Sequence, residues 1–366
     1  MFHFRFDLDD GVDEACASVQ DAHEHRVDTA SPPQQTDEPF SEIDPDSLLK
    51  ALPTQISYSF LSIPSSDDHS PDPKIARRDL FDARFQLISE GTTDDSDPAG
   101  QVAGSNPGVT SALEFIDNPS DLVPFVYEGG LKTWECSIDL ASCLKRDGHA
   151  ANAKGRRVLE LGCGTAIPTL CVLQELFSSP PTDDTETHIH LQDYNVSVLQ
   201  LVTMPNVLLS WYTSPAANAY RTSDAHTSEA EHVDLELLIT PQLLGAFRAS
   251  LRVHRVHLRF FSGAWDSFDI QRTGGPYHLV LTSETIYHTN TLPSLVRVLL
   301  DACTGGHAYL CLVAGKTVYF GVGGGVAEFV RCVESTMDER GSSGQVETIW
   351  EKATGVSRKV MRLRWA

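Results

Sequence analysis

None of the eight cysteines stands in a Cys-x-x-Cys spacing. Cys16, Cys136, Cys143, Cys163, Cys171, Cys303, Cys311 and Cys332 are scattered, several of them in apolar runs where a thiol behaves as a small hydrophobe. That pattern argues against a disulfide framework and against a zinc site. No apolar run approaches the roughly 18 residues of a membrane span. The chain opens MFHFRFDLDDGVDEA, acidic where a signal peptide carries basic residues ahead of an apolar core. An intracellular protein with no membrane partner is the expectation. Basic residues are scarce as well: 28 Lys and Arg against 50 Asp and Glu leave a net charge of −22. Direct binding to nucleic acid is therefore not expected.

What is present begins with length: 366 residues, 41% of them hydrophobic, are enough for one large domain or two smaller ones. The charge marks a boundary. Residues 1–106 hold 22 acidic against 7 basic residues, a balance of −15, which leaves −7 for residues 107–366. The first segment also contains SPPQQTDEP, PSSDDHSPDP and EGTTDDSDPAG, polar and proline-rich runs that bury too little surface to fold alone. It reads as an acidic, largely disordered segment with short ordered islands. Leu48–Leu52 has a helical pattern, Ile56–Phe60 alternates like a strand, and Ala76–Ile88 has helix periodicity. By its charge and proline content, this segment is expected to be dispensable for ligand binding by the rest.

From residue 107 strands and helices alternate. Strands are expected at Val158–Leu161, His188–Gln192, Val256–Phe261, Tyr277–Thr282 and Ala308–Ala314, with two more near 346–353 and 360–365. Helices are expected at Ile167–Phe177, through Val198–Val207, near Leu292–Ala302 and at Val326–Ser335, and residues 213–250 read as an insertion. Such alternation predicts an α/β, doubly wound, mostly parallel sheet, whose ligands bind beyond the carboxyl ends of the strands. The unusual clusters all follow strands: Gly162-Cys163-Gly164, Asp193-Tyr194-Asn195, Gly263-Ala264-Trp265 and Ser283–Tyr287.

The glycines do not complete a dinucleotide fingerprint, because Ile167 stands where a third glycine is required. No Lys-Ser or Lys-Thr follows them, so a P-loop fails too. Glu160, two residues before the first glycine, suits a cationic group such as an ammonium or a sulfonium, and Asp193 ends the second strand where a carboxylate can take both hydroxyls of a ribose. S-adenosylmethionine combines both features and carries no phosphate.

ExGxG on the first strand, an acid ending the second and SETIY on the fourth resemble the seven-β-strand, S-adenosylmethionine-dependent methyltransferases. The match narrows with VYEGGLKTWECSIDL (126–140), VLELGCG (158–164), LQDYN (191–195), TMPNV (203–207), RFFSGAW (259–265), LTSETIY (281–287) and YFGVGGGVAEF (319–329). Together, over about residues 121–335, these are similar to the histidine protein methyltransferase family. The resemblance implies a Rossmann-like seven-stranded fold with an antiparallel C-terminal strand, S-adenosylmethionine as cofactor, and methylation of a histidine in a large-subunit ribosomal protein. It also implies a role in ribosome assembly or translation, a cytoplasmic and nuclear location, and a monomer.

The same resemblance implies roles for individual residues. Glu160, Gly162 and Gly164 would hold the methionine end, Asp193 and Asn195 the ribose, with Tyr194 alongside the adenosine. Gly263, Ala264 and Trp265 would cradle adenine. Trp134, Glu135 and Cys136 would cap the pocket, and Ser283 would lie beside the transferable methyl. Glu284 and Tyr287 would face the substrate, Glu284 as acceptor of an imidazole N–H. The glycine run 321–325 reads as a hairpin over the site. His188 with His190, and His254 with His257, lack the context of a metal site. Three other readings remain open here: a lysine methyltransferase on the same fold, a non-catalytic binding module, and a dehydrogenase disfavoured by Ile167.

Overall fold

Val158-Leu159-Glu160-Leu161 lies in strand β4 (Arg157–Leu161), buried along almost its whole length, as a strand covered on both faces must be. Its side chains alternate between two cores. Val158 belongs to one cluster and Leu159 and Leu161 to the other, so Glu160 faces the side of Val158. The computed structural model describes residues 38–65, 71–92, 129–181, 185–223, 235–305, 308–319 and 323–365. All of them fall in the unit that spans residues 37–366.

Around β4 run β5 (Thr187–Asp193), β7 (Val256–Ser262), β8 (Leu279–Ser283) and β9 (Leu310–Lys316), all parallel in the order β7-β5-β4-β8-β9. Strand β11 (Arg358–Arg364) lies antiparallel between β9 and β10 (Gln345–Lys352). These are the seven expected strands. The first core is covered by α3 (Glu135–Arg146), α4 (Ile167–Ser178), α5 (Met204–Tyr212) and α7 (Pro241–Val253), the second by α8 (Leu292–Cys303) and α9 (Val326–Ser335). Strand order reverses at β4, whose neighbours β5 and β8 carry the connections in opposite directions. The crevice beyond the carboxyl ends of these three strands is the place such a sheet offers a ligand.

The N-terminal part departs from expectation. An eighth strand, β1 (Ser41–Ile43), pairs antiparallel with β7, Ser41 opposite Ser262. It is followed by α1 (Pro45–Lys50), whose first turn is capped by Asp44, and by β2 (Gln55–Ser62) and β3 (Lys74–Arg78). The helix expected from residue 76 begins instead as α2 (Leu80–Thr92), because Ala76–Arg78 are drawn into an extended pairing with Tyr58–Phe60. The Arg78 amide also donates to Asn206 Oδ1 at 2.7 Å, which ties this strand to α5.

A second sheet, ordered β3-β2-β6, joins this segment to the 213–250 insertion through β6 (Glu236–Leu238). The insertion also carries a short helix, α6 (Asn218–Ser223), and supplies most of α7, whose N-cap Thr240 accepts from the Leu243 amide at 3.1 Å. Leu48, Leu49, Ile56, Ile63, Ile75 and Ala76 are buried in the first core. The edge drawn at residue 106 therefore does not bound the folded unit: those side chains join the first core, and Ala83 and Leu87 of α2 are buried with Leu131, Val198, Leu201 and Val202. Residues 1–37 and 93–128 lie outside the described residues. Among the described residues no helix is long and apolar enough to cross a membrane.

Candidate active site

The chain leaves β4 through three left-handed residues, Gly162 (φ 58°), Gly164 (φ 48°) and Ala166 (φ 58°), before α4 begins. Close approach explains the first two. A Cβ on Gly162 would stand 2.5 Å from Thr285 Cγ2, and one on Gly164 would stand 3.0 Å from the Gly130 carbonyl oxygen. The loop is held from β5: the Gly162 amide donates to Gln192 Oε1 (3.2 Å), the Cys163 amide to the Gln192 carbonyl (2.8 Å) and the Gly164 amide to Asp193 Oδ2 (2.9 Å).

Glu160 lies fully buried beneath this loop. Its Oε2 accepts from the amide of Thr169 at 3.0 Å and from the Thr169 hydroxyl, in the first turn of α4, while Oε1 has no hydrogen-bond partner. Burial pushes its pKa up to about 8, against the pull of the Thr169 hydrogen bonds. A buried carboxyl with one satisfied and one orphaned oxygen fits a cationic neighbour better than an anionic one.

At the end of β5, Asp193 is 5% exposed. Besides Gly164 it accepts from the Asn195 amide through Oδ1 at 3.2 Å, and Asn195 Nδ2 donates to the Gly129 carbonyl at 3.3 Å. The Gly129-Gly130 turn therefore closes over both Asp193 and the glycine loop. Tyr194 turns the other way: its hydroxyl accepts from the Glu38 amide at 3.5 Å.

At the end of β7, the Trp265 indole N–H donates to Gln192 Oε1 at 2.9 Å, and Gln192 Nε2 donates to the Gly263 carbonyl at 2.8 Å. Gln192 thus joins three strand ends. Across Gly263 runs the N-terminal strap. The Ala264 amide donates to the Glu38 carbonyl (2.9 Å), and a Cβ on Gly263 (φ 101°) would stand 2.4 Å from the Pro39 carbonyl oxygen. Phe40 is buried beside it against Phe261 and Phe268.

The end of β8 carries the other half of the site. Ser283 is buried, and Glu284 adopts φ 59°, a left-handed conformation unusual for a side-chain-bearing residue. Glu284 Oε2 accepts from the Tyr319 hydroxyl at 2.7 Å, and Oε1 faces the Lys316 ammonium at 3.7 Å. Lys316 Nζ also lies 3.6 Å from Glu135 Oε2 and 4.6 Å above the centre of the Trp134 ring. The Cys136 thiol is pushed up first by burial and then by Glu284, and the Tyr319 phenol likewise, so both stay uncharged. Tyr287 stands over the cluster with its ring centre 6.1 Å from that of Tyr319. Of the glycine run, residues 321 and 322 lie outside the described residues. Gly323 bridges His288, and Gly324 lies so close to the Tyr287 backbone that a Cβ would collide with its carbonyl.

Of the thirteen cofactor-side and two substrate-side residues expected from the sequence, all but Tyr194, whose side chain turns towards Glu38, gather at the carboxyl ends of β4, β5, β7 and β8 and at the start of α3. They form two groups: one around Asp193, Gln192 and the glycine loop, the other around Glu284 and Lys316. Thr169, Gln192, Lys316, Tyr319 and the strap at Glu38–Phe40 were not read as site residues. Lys316, the last residue of β9, and Tyr319, just after it, carried no signal of their own, because their nearness to Glu284 comes from the pairing of β9 with β8. Gln192 lay inside a recognised motif but is a generic residue type.

His190 is held neutral, pushed down to about 3 by burial, with Nδ1 2.7 Å from the Tyr277 hydroxyl. His188 stacks on His257 at 5.0 Å, away from these strand ends. Among the described residues no group of three or more His, Cys, Asp or Glu could hold a metal ion.

No protein-family model matches the chain. It is 36% identical over 320 residues to histidine protein methyltransferase 1 of Schizosaccharomyces pombe, covering 85% of this chain and 82% of that one. It is 33% identical over 283 residues to the protein of that name in Saccharomyces cerevisiae (73% and 69% covered). The homolog in Mus musculus is 29% identical over 286 residues (74% and 70% covered). Among solved structures, magnesium protoporphyrin IX methyltransferase of Synechocystis aligns with a TM-score of 0.34 at 11% identity, covering 79% of this chain and all of that one.

Proposed function

The chain belongs to the histidine protein methyltransferases, and on that premise we propose that it transfers a methyl group from S-adenosylmethionine to a ring nitrogen of a histidine in a large-subunit ribosomal protein. The observation that carries the chemistry is the placing of Glu284, a carboxylate held by Tyr319 at the end of β8, one strand away from the glycine loop.

The residues fit the cofactor. Glu160 offers an orphaned oxygen below the loop, Gly162 and Gly164 leave no room for a side chain, and Asp193 presents a buried carboxylate at the ribose position. Trp134 and Glu135 cap the methionine end, and Ala264 and Trp265 line the adenine end. Bound there, S-adenosylmethionine supplies an electrophilic methyl group on a sulfonium sulfur.

The protein's own task is position. An imidazole with a pKa near 6.5 is largely neutral in the cell and needs no strong base. Near-attack alignment contributes roughly 7–11 kcal/mol. Glu284 accepts the N–H of one ring nitrogen, which fixes the tautomer and leaves the lone pair of the other to form the new N–C bond as the S–C bond breaks. Positive charge passes from sulfur to the ring, where the same carboxylate stabilises it and then takes the surplus proton.

The acidic balance of −22 suits a basic protein substrate and disfavours direct contact with nucleic acid. Ribosomal proteins are made in the cytoplasm and assembled in the nucleus, and the enzyme acts in both places as a monomer. Labelling with methyl-tritiated cofactor, followed by acid hydrolysis, tests the reading: radioactivity in methylhistidine from a large-subunit ribosomal protein supports it, and radioactivity in methyllysine overturns it.

A further inference from the structure

Lys316 has no part in the scheme above, yet it stands at the centre of the charge cluster on the substrate side. It is the last residue of β9, next to the end of β8, and its side chain is only 17% exposed. Its ammonium lies between Glu284 Oε1 at 3.7 Å and Glu135 Oε2 at 3.6 Å, over the face of Trp134. Its backbone amide donates to the Tyr319 hydroxyl at 3.1 Å, the same hydroxyl that donates to Glu284. The chain thus fixes one cation against the carboxylate to which the acceptor ring is assigned.

Apart from the exposed Glu135, the other groups around Lys316 carry no unmatched charge. Cys136 on α3 and Tyr319 after β9 stay protonated. Arg358, opposite Lys316 on β11, is paired with Asp139 of α3 at 2.6 Å. Glu135 is half exposed, so water screens it, whereas the Glu284 side chain is 11% exposed. The charges that decide the local field are therefore Glu284 and Lys316, and they cancel.

We infer that Lys316 sets the charge of the acceptor that this site takes: by matching Glu284 it makes the site receptive to a neutral imidazole and hostile to an ammonium or imidazolium. The inference rests on the histidine methyltransferase reading of the same site. Two bare carboxylates, Glu135 and Glu284, would attract a cation and hold a bound imidazole in its protonated form, which has no lone pair to give. With the fixed ammonium present, a ring N–H still finds a carboxylate acceptor, but a second cation meets a like charge. The methylated product is itself an imidazolium, so the same ammonium favours its deprotonation and release.

The experiment uses the full chain, unmethylated large-subunit ribosomal proteins and methyl-tritiated S-adenosylmethionine. Methylhistidine and methyllysine are separated after acid hydrolysis, and rates are read from pH 5.5 to 9. Lys316→Met should move the acid limb of methylhistidine formation up by about one pH unit, the lower end of the effect of a neighbouring charge. For a native limb near 6.5 that is about a fivefold loss at pH 6.5, recovered by pH 8.5, with the ratio of methyllysine to methylhistidine raised. Glu135→Gln, at an exposed and water-screened position, should move the limb the other way by less than Lys316→Met does, and Lys316→Arg should restore the native profile. S-adenosylhomocysteine affinity should stay within about threefold in the two Lys316 variants. An acid limb that does not move in Lys316→Met, in a wild type that makes methylhistidine, overturns this inference alone. So does an equal loss at every pH with lost S-adenosylhomocysteine binding. A wild type that makes methyllysine instead overturns the function reading and this one together.

Discussion

Replacing Gly263 by alanine tests whether the N-terminal strap belongs to the cofactor site. The added methyl would stand 2.4 Å from the Pro39 carbonyl oxygen, 2.7 Å from its carbon and 2.9 Å from the Glu38 carbonyl oxygen. All three are backbone atoms, so no side chain can swing aside, and at φ 101° an alanine is strained as well, by about 1–3 kcal/mol. If the strap moves off, the 2.9 Å bond from the Ala264 amide to Glu38 is lost, at about 1 kcal/mol. Phe40, now 7% exposed, would lose up to about 1.5–3 kcal/mol of burial.

Gly275 supplies the control. It has φ 97° and nothing within 4 Å of its added Cβ, so Gly275→Ala shares the strain without the collision. We expect Gly263→Ala to lower the thermal midpoint several degrees further than Gly275→Ala. It should also weaken S-adenosylhomocysteine binding about tenfold or more by calorimetry, because Ala264 and Trp265 lose the backing of the strap. Amide exchange at residues 41–43 should quicken in parallel. Equal effects of the two substitutions, or native affinity in Gly263→Ala, would refute the reasoning. Deleting residues 1–43 should likewise weaken binding, contrary to the dispensability that composition suggests for this segment.

Asp193→Ala should weaken S-adenosylhomocysteine binding by about 1–3 kcal/mol, the cost of losing a hydrogen-bonding carboxylate, and calorimetry reads it directly. Glu284→Gln should lower the methylation rate about 100-fold or more, on the scale of general acid–base catalysis, with cofactor affinity nearly unchanged; equal losses in both would make Glu284 a cofactor ligand. Glu160, with a folded pKa raised to about 8 from 4.5, is the reverse of the usual carboxylate: the folded state keeps the proton that the unfolded chain releases. Its contribution to stability is full below pH 4.5 and falls as pH rises towards 8, at up to about 1.4 kcal/mol per pH unit. Denaturant midpoints of wild type minus those of Glu160→Gln, taken from pH 5 to 8, should show that slope, and a flat difference would count against it.

The parts of the fold that were legible are those whose cause is local. β4, β8 and β9 are largely apolar on both faces because helices cover both, so each shows as a short continuous run, while β5 alternates Ile189 and Leu191 with polar residues; all four carry punctuation at the carboxyl end. Since parallel strands end on one side of the sheet, reading those ends in turn collected Gly162, Asp193, Gly263 and Glu284 before their proximity was known. β1 and the β3-β2-β6 sheet had no such signal. β1 is three residues long, polar in part, and pairs with a strand more than 200 residues away. β2 and β6 are about 180 residues apart, and each becomes a strand only in the other's presence. The proline and acid content around them points to disorder, a correct reading of composition that long-range burial overrides.

The site divides along the same line. Residue type announced Glu160 as a ligand for a cation, yet one of its oxygens serves Thr169 at the start of α4, so half of its capacity is structural. Gln192, which joins the ends of β4, β5 and β7, announced nothing, because an amide becomes a hub only when three loops converge on it. Lys316 is the sharpest case. A lysine ending a strand in an acidic protein reads as a solvated charge, and the sequence places it 32 residues from Glu284. The parallel pairing of β8 with β9 puts the two at adjacent strand ends, Ser283 opposite Ala314, and turns an ordinary surface residue type into the counter-charge of the carboxylate that receives the substrate. Motif reading finds the groups that chemistry makes rare. Groups whose role comes from a neighbour appear only when the sheet order is known.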